Sequence, residues 1–153
     1  MKWLSFNCRG MASAPKKLAL RQLFDSETID FIFLQETLGE ANLTSRTLCS
    51  LKPGWISQSI DVIGRSVGLA MGYNPCTINF NASWGGARFI GMDIFSSELG
   101  MDLRLINVYG PCQNKEAFWN CLLSLSITSL DNLILGGDLN FSIGFGESWG
   151  TNA

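Results

Sequence analysis

The chain has 153 residues, of which 46% are hydrophobic and 16% charged, and its formal net charge is −2. This composition is typical of one folded domain with a core and excludes a disordered segment, while the pI of about 5.0 gives no basic field of the kind that marks nucleic-acid-binding proteins. Histidine is absent, which excludes a Ser-His-Asp or Cys-His mechanism and a histidine metal site within this chain. The five cysteines are odd in number and show no Cys-x-x-Cys pair, so we expect free thiols rather than zinc ligands.

Short strands and helices alternate in the first third of the chain. Residues 2–8, KWLSFNC, predict a strand, and a helix follows with Ser13 as its cap and Pro15 in its first turn. The β-branched and aromatic residues of 29–36, IDFIFLQE, predict a buried strand, and residues 41–50 predict a short helix.

The middle of the chain is largely β. Three successive strands are predicted at 55–60, 67–73 and 77–80, separated by glycine and proline. Residues 87–95 and 102–109 flank a Ser-Ser-Glu-Leu-Gly turn and predict a hairpin.

A second clear helix is predicted over residues 114–129, with Phe118, Cys121, Leu122 and Leu125 on one side. The stretch LDNLIL, residues 130–135, overlaps the start of LILGGDLNFS, residues 133–142. The second stretch begins as a predicted strand and becomes polar after two glycines. No repeat or linker divides the chain, so we expect one α/β unit.

Polar side chains lie at the ends of four of the predicted strands. Asn7, Glu36 and Tyr109 each stand at the end of an apolar run beside a turn, and Asp138 and Asn140 follow the Gly-Gly pair. In layered α/β folds ligands gather at strand ends, and carboxylate and amide oxygens suit Mg²⁺ or Mn²⁺ rather than Zn²⁺.

Side chains two apart on a strand point the same way. Asp138 and Asn140 would therefore face one region if extended geometry persists past Gly137. By the same rule Asn107 and Tyr109 share a side of their strand.

Each of these residues also has a purely structural interpretation. Gly-Gly-Asp with a nearby Asn forms turns, and a Glu after a strand can be a solvated end or a helix-start carboxylate. Tyr109 before Gly-Pro could close a hairpin, and Asn7 could satisfy a backbone group in a turn. For each residue considered alone, the structural interpretation is favoured. The order of these residues along the chain instead favours a functional site.

That order carries a family resemblance. WLSFNCRG, FLQET, INVYGP and GGDLN, in this sequence, resemble the endonuclease/exonuclease/phosphatase superfamily. The sequences of these motifs are similar to those of the apurinic-type endonuclease domain of LINE-type (non-LTR) retroelements, those of plants in particular. The resemblance covers essentially the whole chain and corresponds to the N-terminal part of such a domain.

The resemblance implies an α/β fold: a four-layer sandwich of two mixed β-sheets packed face to face with helices outside. It implies a Mg²⁺- or Mn²⁺-dependent hydrolase of phosphoesters, without a membrane partner. In LINE elements the domain nicks target DNA, and the resulting end primes a reverse transcriptase domain of the same parent protein.

The resemblance also implies roles for particular residues. Glu36 would be the main metal ligand, with Asn7 beside the metal, supporting it or the phosphate. Tyr109 would donate to a phosphate oxygen, Asp138 would orient or deprotonate the attacking water, and Asn140 would hold the phosphate.

The sequence departs from the family's pattern at its end. The family continues past GDLN to a Ser-Asp-His segment, whereas this sequence has no histidine and ends 13 residues after Asn140. We therefore expect residues 1–153 to be a single domain truncated after the GGDLN motif, C-terminally incomplete, and an inactive or weakly active fragment as given.

Two other functions remain open. A phosphatase or phosphodiesterase of the same fold would act on a phosphorylated small molecule or lipid, and a non-catalytic remnant of a decayed element would have lost activity. No targeting signal is visible in the sequence, so an intracellular site, nuclear or cytoplasmic, is what the resemblance and the free cysteines imply.

Overall fold

A computed structural model describes residues 1–61, 68–125 and 131–140. Its elements follow the predicted alternation of short strands and helices. In chain order they are β1 (Trp3–Asn7), α1 (Ala14–Ser26), β2 (Phe31–Gln35), α2 (Ala41–Leu51), β3 (Ile56–Ile60), β4 (Leu69–Tyr73), β5 (Ile78–Gly86), β6 (Phe89–Ser96), β7 (Met101–Tyr109), α3 (Lys115–Ser124) and β8 (Leu133–Asp138).

The strands form two four-stranded mixed sheets, in the orders β1-β2-β4-β3 and β5-β6-β7-β8. Within each sheet one pair is parallel, β1 with β2 and β7 with β8, and the other neighbours are antiparallel. The predicted hairpin is confirmed as β6 and β7. Among the residues that the structure describes, β1 and β3 are the edge strands of the first sheet, and β5 and β8 are those of the second.

Alternation along β2 shows how the layers stack. Phe31 and Phe33 point into a cluster shared with the second sheet, whereas Ile32 and Leu34 pack with α1 and α2 on the other face. All five residues of β2 are buried because both faces of the strand are covered. A third cluster packs α3 against the outer face of the second sheet. The result is the expected four-layer sandwich, with helices outside two sheets.

The two parallel pairs position the polar strand ends. Parallel strands end at the same edge of a sheet, so β1 and β2 end together and β7 and β8 end together. The sheets pack so that β1 contacts β8 and β2 contacts β7 and β8. Four carboxyl ends therefore meet at one edge of the sandwich.

The prediction for the last helix was wrong in its length and partly wrong in its buried face. Helix α3 ends at Ser124, and residues 126–129 of the predicted span lie outside the described residues. Leu122 is buried, but Cys121 is exposed and Leu125 lies beyond the helix end with 37% of its surface exposed. Because the helix stops early, the 3.6-residue period that grouped these side chains no longer applies to Leu125.

The strands of the middle region are confirmed with shifted ends. The strand expected at 55–60 is β3, and that at 77–80 continues to Gly86 as β5. The strand expected at 67–73 is β4, which begins at Leu69; residue 67 lies outside the described residues. In the described ranges no helix has the length and apolar character needed to span a bilayer.

Candidate active site

All five residues that the sequence singled out lie at the edge where the four strand ends meet. Asn7 is the last residue of β1, Tyr109 of β7 and Asp138 of β8, while Glu36 directly follows β2 and Asn140 lies two residues beyond β8. Hydrogen bonds join them across the two sheets. The side-chain amide of Asn7 donates to Asp138 Oδ2 at 2.7 Å, and the Tyr109 hydroxyl donates to Glu36 Oε1 at 3.1 Å.

Asn7 is held by both ends of its amide. Its Oδ1 accepts the backbone N–H of Arg9 at 3.1 Å, which leaves the amide nitrogen directed at Asp138. The other carboxylate oxygen of Asp138 accepts the backbone N–H of Asn140 at 3.1 Å. Both oxygens of Asp138 are thus oriented by N–H donors.

Glu36 has a strained backbone that its neighbours hold in place. Its φ of +52° lies in the left-handed region, which is uncommon for a residue with a side chain. Its carbonyl oxygen accepts the N–H of Gly10 at 2.6 Å, and the next N–H, of Thr37, donates to Gly68 O at 3.0 Å. Strain of this kind persists where surrounding bonds fix it, and it concentrates at functional sites.

Tyr109 is a protonated hydrogen-bond donor at neutral pH. Burial is the main cause that raises the pKa of its phenol; the adjacent Glu36 raises it further, while a hydrogen bond with Asn140 opposes the rise. The phenol therefore keeps its proton and can donate it in a hydrogen bond to an anionic oxygen.

The condition that extended geometry persists past Gly137 is met at Asp138, the last residue of β8, but not at Asn140. Asn140 has a φ of +52°, and its N–H folds back onto the Asp138 carboxylate, so the chain turns instead of continuing as a strand. The Asn140 side chain still lies at the same edge, where its amide donates to Gly110 O at 2.6 Å. Gly137 makes the close turn possible: its φ is +131°, and a Cβ there would lie 2.0 Å from Val108 O.

A buried polar layer directly beneath this edge was not identified as part of the site by sequence reasoning. Gln35 and Asn107 are 1% and 0% exposed, and the Gln35 side-chain amide donates to Asn107 Oδ1 and to Ser5 Oγ. The expectation that Asn107 and Tyr109 share a side is confirmed, because both reach the first sheet. A signal was available: Gln35 and Asn107 each interrupt an alternating row of large apolar residues.

The donor set fits a hard divalent cation. Glu36 and Asp138 supply carboxylate oxygens and Asn7 and Asn140 supply amides, and Mg²⁺ is commonly bound by one or two carboxylates with its remaining positions taken by water. A thiolate ligand is disfavoured, since burial raises the pKa of the nearby Cys8 to about 12. Within the described ranges no cluster of three or more His, Cys, Asp or Glu side chains could form a closed metal cage.

Comparisons with known proteins agree on the fold. No protein-family model and no curated protein matches the sequence. Solved structures do match. D. rerio TDP2 complexed with a single-strand DNA product aligns with a TM-score of 0.70 and 16% identity over 91% of this chain and 60% of its own. An endonuclease/exonuclease/phosphatase family protein from Bacteroides thetaiotaomicron aligns at 0.64 and 14%, over 90% and 62%.

A retroelement domain is among the similar structures. The endonuclease domain of TRAS1, a telomere-specific non-LTR retrotransposon, aligns with a TM-score of 0.65 and 12% identity over 92% of this chain and 61% of its own. The chain therefore has the endonuclease/exonuclease/phosphatase fold, and the resemblance stated from the motifs is confirmed at the level of fold. It spans about three fifths of the length of each of these three proteins.

Proposed function

We propose that the chain carries the catalytic edge of a metal-dependent phosphodiester hydrolase acting on DNA, an endonuclease of retroelement type. The observation that supports this most is the convergence of Glu36, Asp138, Asn7, Tyr109 and Asn140 at the carboxyl ends of four strands. Hydrogen bonds orient these side chains before any substrate binds, which is the arrangement that stabilises charge in a transition state.

Glu36 is the proposed ligand of Mg²⁺ or Mn²⁺, with Asn7 beside it. The ion, when bound, would polarise a phosphoryl oxygen and lower the pKa of a bound water. Glu36 Oε1 is oriented by the Tyr109 hydroxyl, and the strained backbone sets the direction of the side chain. Asn7 Oδ1 retains a lone pair beyond the one used by Arg9, so it can support the ion or a phosphate.

The remaining residues act on the water and the phosphate. Asp138, fixed by Asn7 and the Asn140 N–H, is placed to orient a water and accept its proton. The Tyr109 phenol donates to a non-bridging phosphate oxygen, and the Asn140 amide holds the same group. Holding water and phosphate in line supplies rate through positioning, without a covalent intermediate on the protein.

DNA is the proposed substrate because two positively charged side chains, Arg9 and Lys16, lie beside the site, although the net charge of the chain is −2. Arg9 is exposed two residues after Asn7, and the Lys16 ammonium donates to the Arg9 carbonyl. Through its contact with the Arg9 turn, the Lys16 ammonium would lie near phosphates that flank the cleaved one.

A phosphatase or phosphodiesterase acting on a small phosphorylated molecule or lipid is the second candidate. The acidic pI of about 5.0 favours it, because phosphate neutralisation by lysine and arginine supplies most of non-specific DNA affinity. The same five side chains would bind such a phosphate; the neighbouring cations would then matter little. In the nuclease proposal a reverse transcriptase domain belongs to the same longer protein, and the site of action is intracellular.

The test is nicking of supercoiled plasmid by the purified chain with Mg²⁺, compared with Asp138→Asn and with the exposed control Asp25→Asn. We expect slow nicking, since the sequence lacks the histidine of the family it resembles, that disappears in Asp138→Asn and persists in Asp25→Asn. Background nicking in all three folded proteins would contradict DNA cleavage by this chain and favour a non-catalytic remnant. Hydrolysis of p-nitrophenyl phosphate without nicking would favour the small-molecule alternative.

A further inference from the structure

We propose that Gln35 and Asn107, two buried amides that meet between the sheets, are positioning residues for Glu36 and Tyr109 and thereby set the metal affinity of the site. The inference rests on the proposed function, because it concerns the divalent cation assigned to Glu36. Neither amide touches substrate or metal in this proposal; both act through the backbone and side chains next to them.

The contacts of the pair join three strands of the first sheet to the second sheet. Gln35 Nε2 donates to Asn107 Oδ1 at 2.7 Å and to Ser5 Oγ at 3.2 Å. Asn107 Nδ2 donates to Leu34 O at 3.1 Å and to Ala70 O at 3.0 Å. The Asn107 side chain thus ties β7 of the second sheet directly to β2 and β4, and Gln35 extends the network to Ser5 on β1.

The position of the pair is unusual for a sandwich core. The inward-facing row of β2 begins with Phe31 and Phe33 and then reaches Gln35, and the row of β7 runs through Leu105 to Asn107. Buried amides are less favourable than apolar side chains unless their hydrogen bonds are made. Both rows change from apolar to amide at the same level, one step below the Tyr109–Glu36 hydrogen bond.

The pair lies where β2 leaves its sheet. Leu34 and Ala70 are the last partners in the β2–β4 ladder, and the Asn107 amide donates to both of their carbonyl groups at that point. Two residues after Leu34, Glu36 takes its left-handed conformation. Gln35, the residue between them, is fixed at its side chain by Asn107.

The same amides determine where Tyr109 lies relative to Glu36. Tyr109 follows Asn107 by two residues on the same side of β7, and its hydroxyl reaches the Glu36 carboxylate. When the Gln35–Asn107 bond is lost, β2 and β7 can shift relative to each other, and the carboxylate loses its fixed direction. Partners that orient a ligand in this way typically change metal affinity by about 10- to 100-fold when removed.

The experiment measures Mn²⁺ affinity by electron paramagnetic resonance and thermal stability by circular dichroism, so it does not depend on nicking. Four proteins are compared: the unchanged chain, Gln35→Met, Leu103→Ala and Glu36→Gln. Met is similar in shape to Gln but cannot donate to Asn107. Leu103 is the matched control, since it is buried on the same face of β7 in the apolar cluster between the sheets.

We expect Gln35→Met to bind Mn²⁺ about tenfold more weakly or worse, and Leu103→Ala to keep the affinity of the unchanged chain even where it lowers the melting temperature as much. Glu36→Gln should abolish the site. A Gln35→Met protein with unchanged affinity, beside a Glu36→Gln protein that has lost it, would overturn the positioning role and leave the proposed function standing. Binding that is absent from the unchanged chain, or insensitive to Glu36→Gln, would overturn both.

A second variant decides the matter if Gln35→Met does not fold. Asn107→Leu keeps nearly the shape of the asparagine side chain and removes the acceptor of the Gln35 amide from the other side of the pair. A weaker Mn²⁺ affinity in Asn107→Leu supports the positioning role, and an affinity equal to that of the unchanged chain contradicts it.

Discussion

The layer between the two sheets differs from one end to the other. Its apolar end is built by Phe31, Tyr73, Ile94 and Leu103, all 7% exposed or less and packed in one cluster. Its polar end is built by Gln35 and Asn107 inside and by Asn7, Glu36, Tyr109 and Asp138 at the surface. Strands β2 and β7 contribute to both ends, and along each of them the inward-facing side chains change from apolar to polar.

The difference separates the features that stabilise the fold from those that the proposed function uses. Apolar burial at one end stabilises the sandwich without specifying any chemistry. The polar end contains left-handed backbone at Glu36 and Asn140 and two buried amides, features that lower stability unless the rest of the fold holds them. Strain and buried polarity concentrated at one end are what a preorganised site requires.

The largest expected effect is a loss of nicking activity caused by a substitution at the polar end that leaves the fold intact. Glu36→Gln should lower Mg²⁺-dependent nicking by at least about a hundredfold, because an amide is a poorer ligand for a hard cation than a carboxylate. Its melting temperature should stay close to that of the unchanged chain, since the Tyr109 hydroxyl can still donate to the amide oxygen. Nicking rates and circular dichroism melts measure both quantities.

The control for Glu36→Gln is Glu40→Gln, which neutralises an exposed carboxylate at the start of α2. It should nick as the unchanged chain does. Equal losses in the two variants would show that net charge, and not the strand-end carboxylate, governs the rate.

The next largest expected effect is a loss of stability caused by a substitution at the apolar end that leaves the candidate site intact. Leu105→Ala should lower the free energy of unfolding by about 2–5 kcal/mol, because it opens a cavity in the cluster between the sheets. Urea unfolding measures the loss, and Mn²⁺ affinity of the folded protein should not change. Leu99→Ala, at a position 48% exposed, is the control, with an expected change within about 0.5 kcal/mol. A loss at Leu105 no larger than that of Leu99→Ala would mean that this layer is not a tightly packed core.

A smaller effect tests the turn that carries Asp138. Gly137→Ala combines a positive φ with a Cβ only 2.0 Å from Val108 O, so we expect a loss of about 2–3 kcal/mol in urea unfolding. Gly100→Ala has a φ of +66° with nothing within 4 Å of the added Cβ, and should lose about 1 kcal/mol from backbone strain alone. Equal losses in the two variants would argue against the close approach of Gly137 to β7.

The smallest effect concerns an ion pair far from the site and depends on pH. Arg104 donates to both carboxylate oxygens of Asp93, at 2.6 and 2.9 Å, and this hydrogen bonding lowers the pKa of Asp93 in the folded protein. A lowered folded-state pKa stabilises the fold above the ordinary carboxyl pKa of about 4. That stabilisation disappears as pH falls through the lowered value.

Asp93→Asn should therefore be less stable than the unchanged chain at neutral pH by about 1 kcal/mol or less, because the pair is partly exposed to solvent. The difference should shrink to nothing as the solution is acidified below the lowered pKa. Urea unfolding of both proteins across an acid pH series gives the measurement. A difference that stays constant through that series would indicate a packing defect instead of a lost ion pair.

Much of the candidate site could be predicted from the sequence, because the residues at strand ends are local features. Apolar runs followed by Asn7, Glu36, Tyr109 and Asp138 identified the strands, and the four-layer fold followed from the motif order through family resemblance. Parallel pairing then brings such ends together by geometry alone. The buried amides were missed as part of the site because Gln35 and Asn107 matter only through each other, across 72 residues of sequence.

Local errors arose where a turn or a helix end replaced a regular period. The extended rule failed at Asn140, where a side-chain carboxylate captured the next backbone N–H, and the helical rule failed at Leu125, where α3 had already ended. Both are competitions between a regular backbone pattern and a nearby alternative partner, which periodicity does not register.

The sequence by itself determined the kinds of elements, their order and the residues that close the strands, because alternation and turn chemistry act over a few neighbours. Only the tertiary structure decided that Asn7 meets Asp138, that Tyr109 meets Glu36, and that Gln35 and Asn107 join the sheets beneath them. Those pairings depend on how two sheets pack face to face. The relative placement of the sheets is set by the summed burial of the whole inter-sheet layer, which no single segment of the sequence encodes.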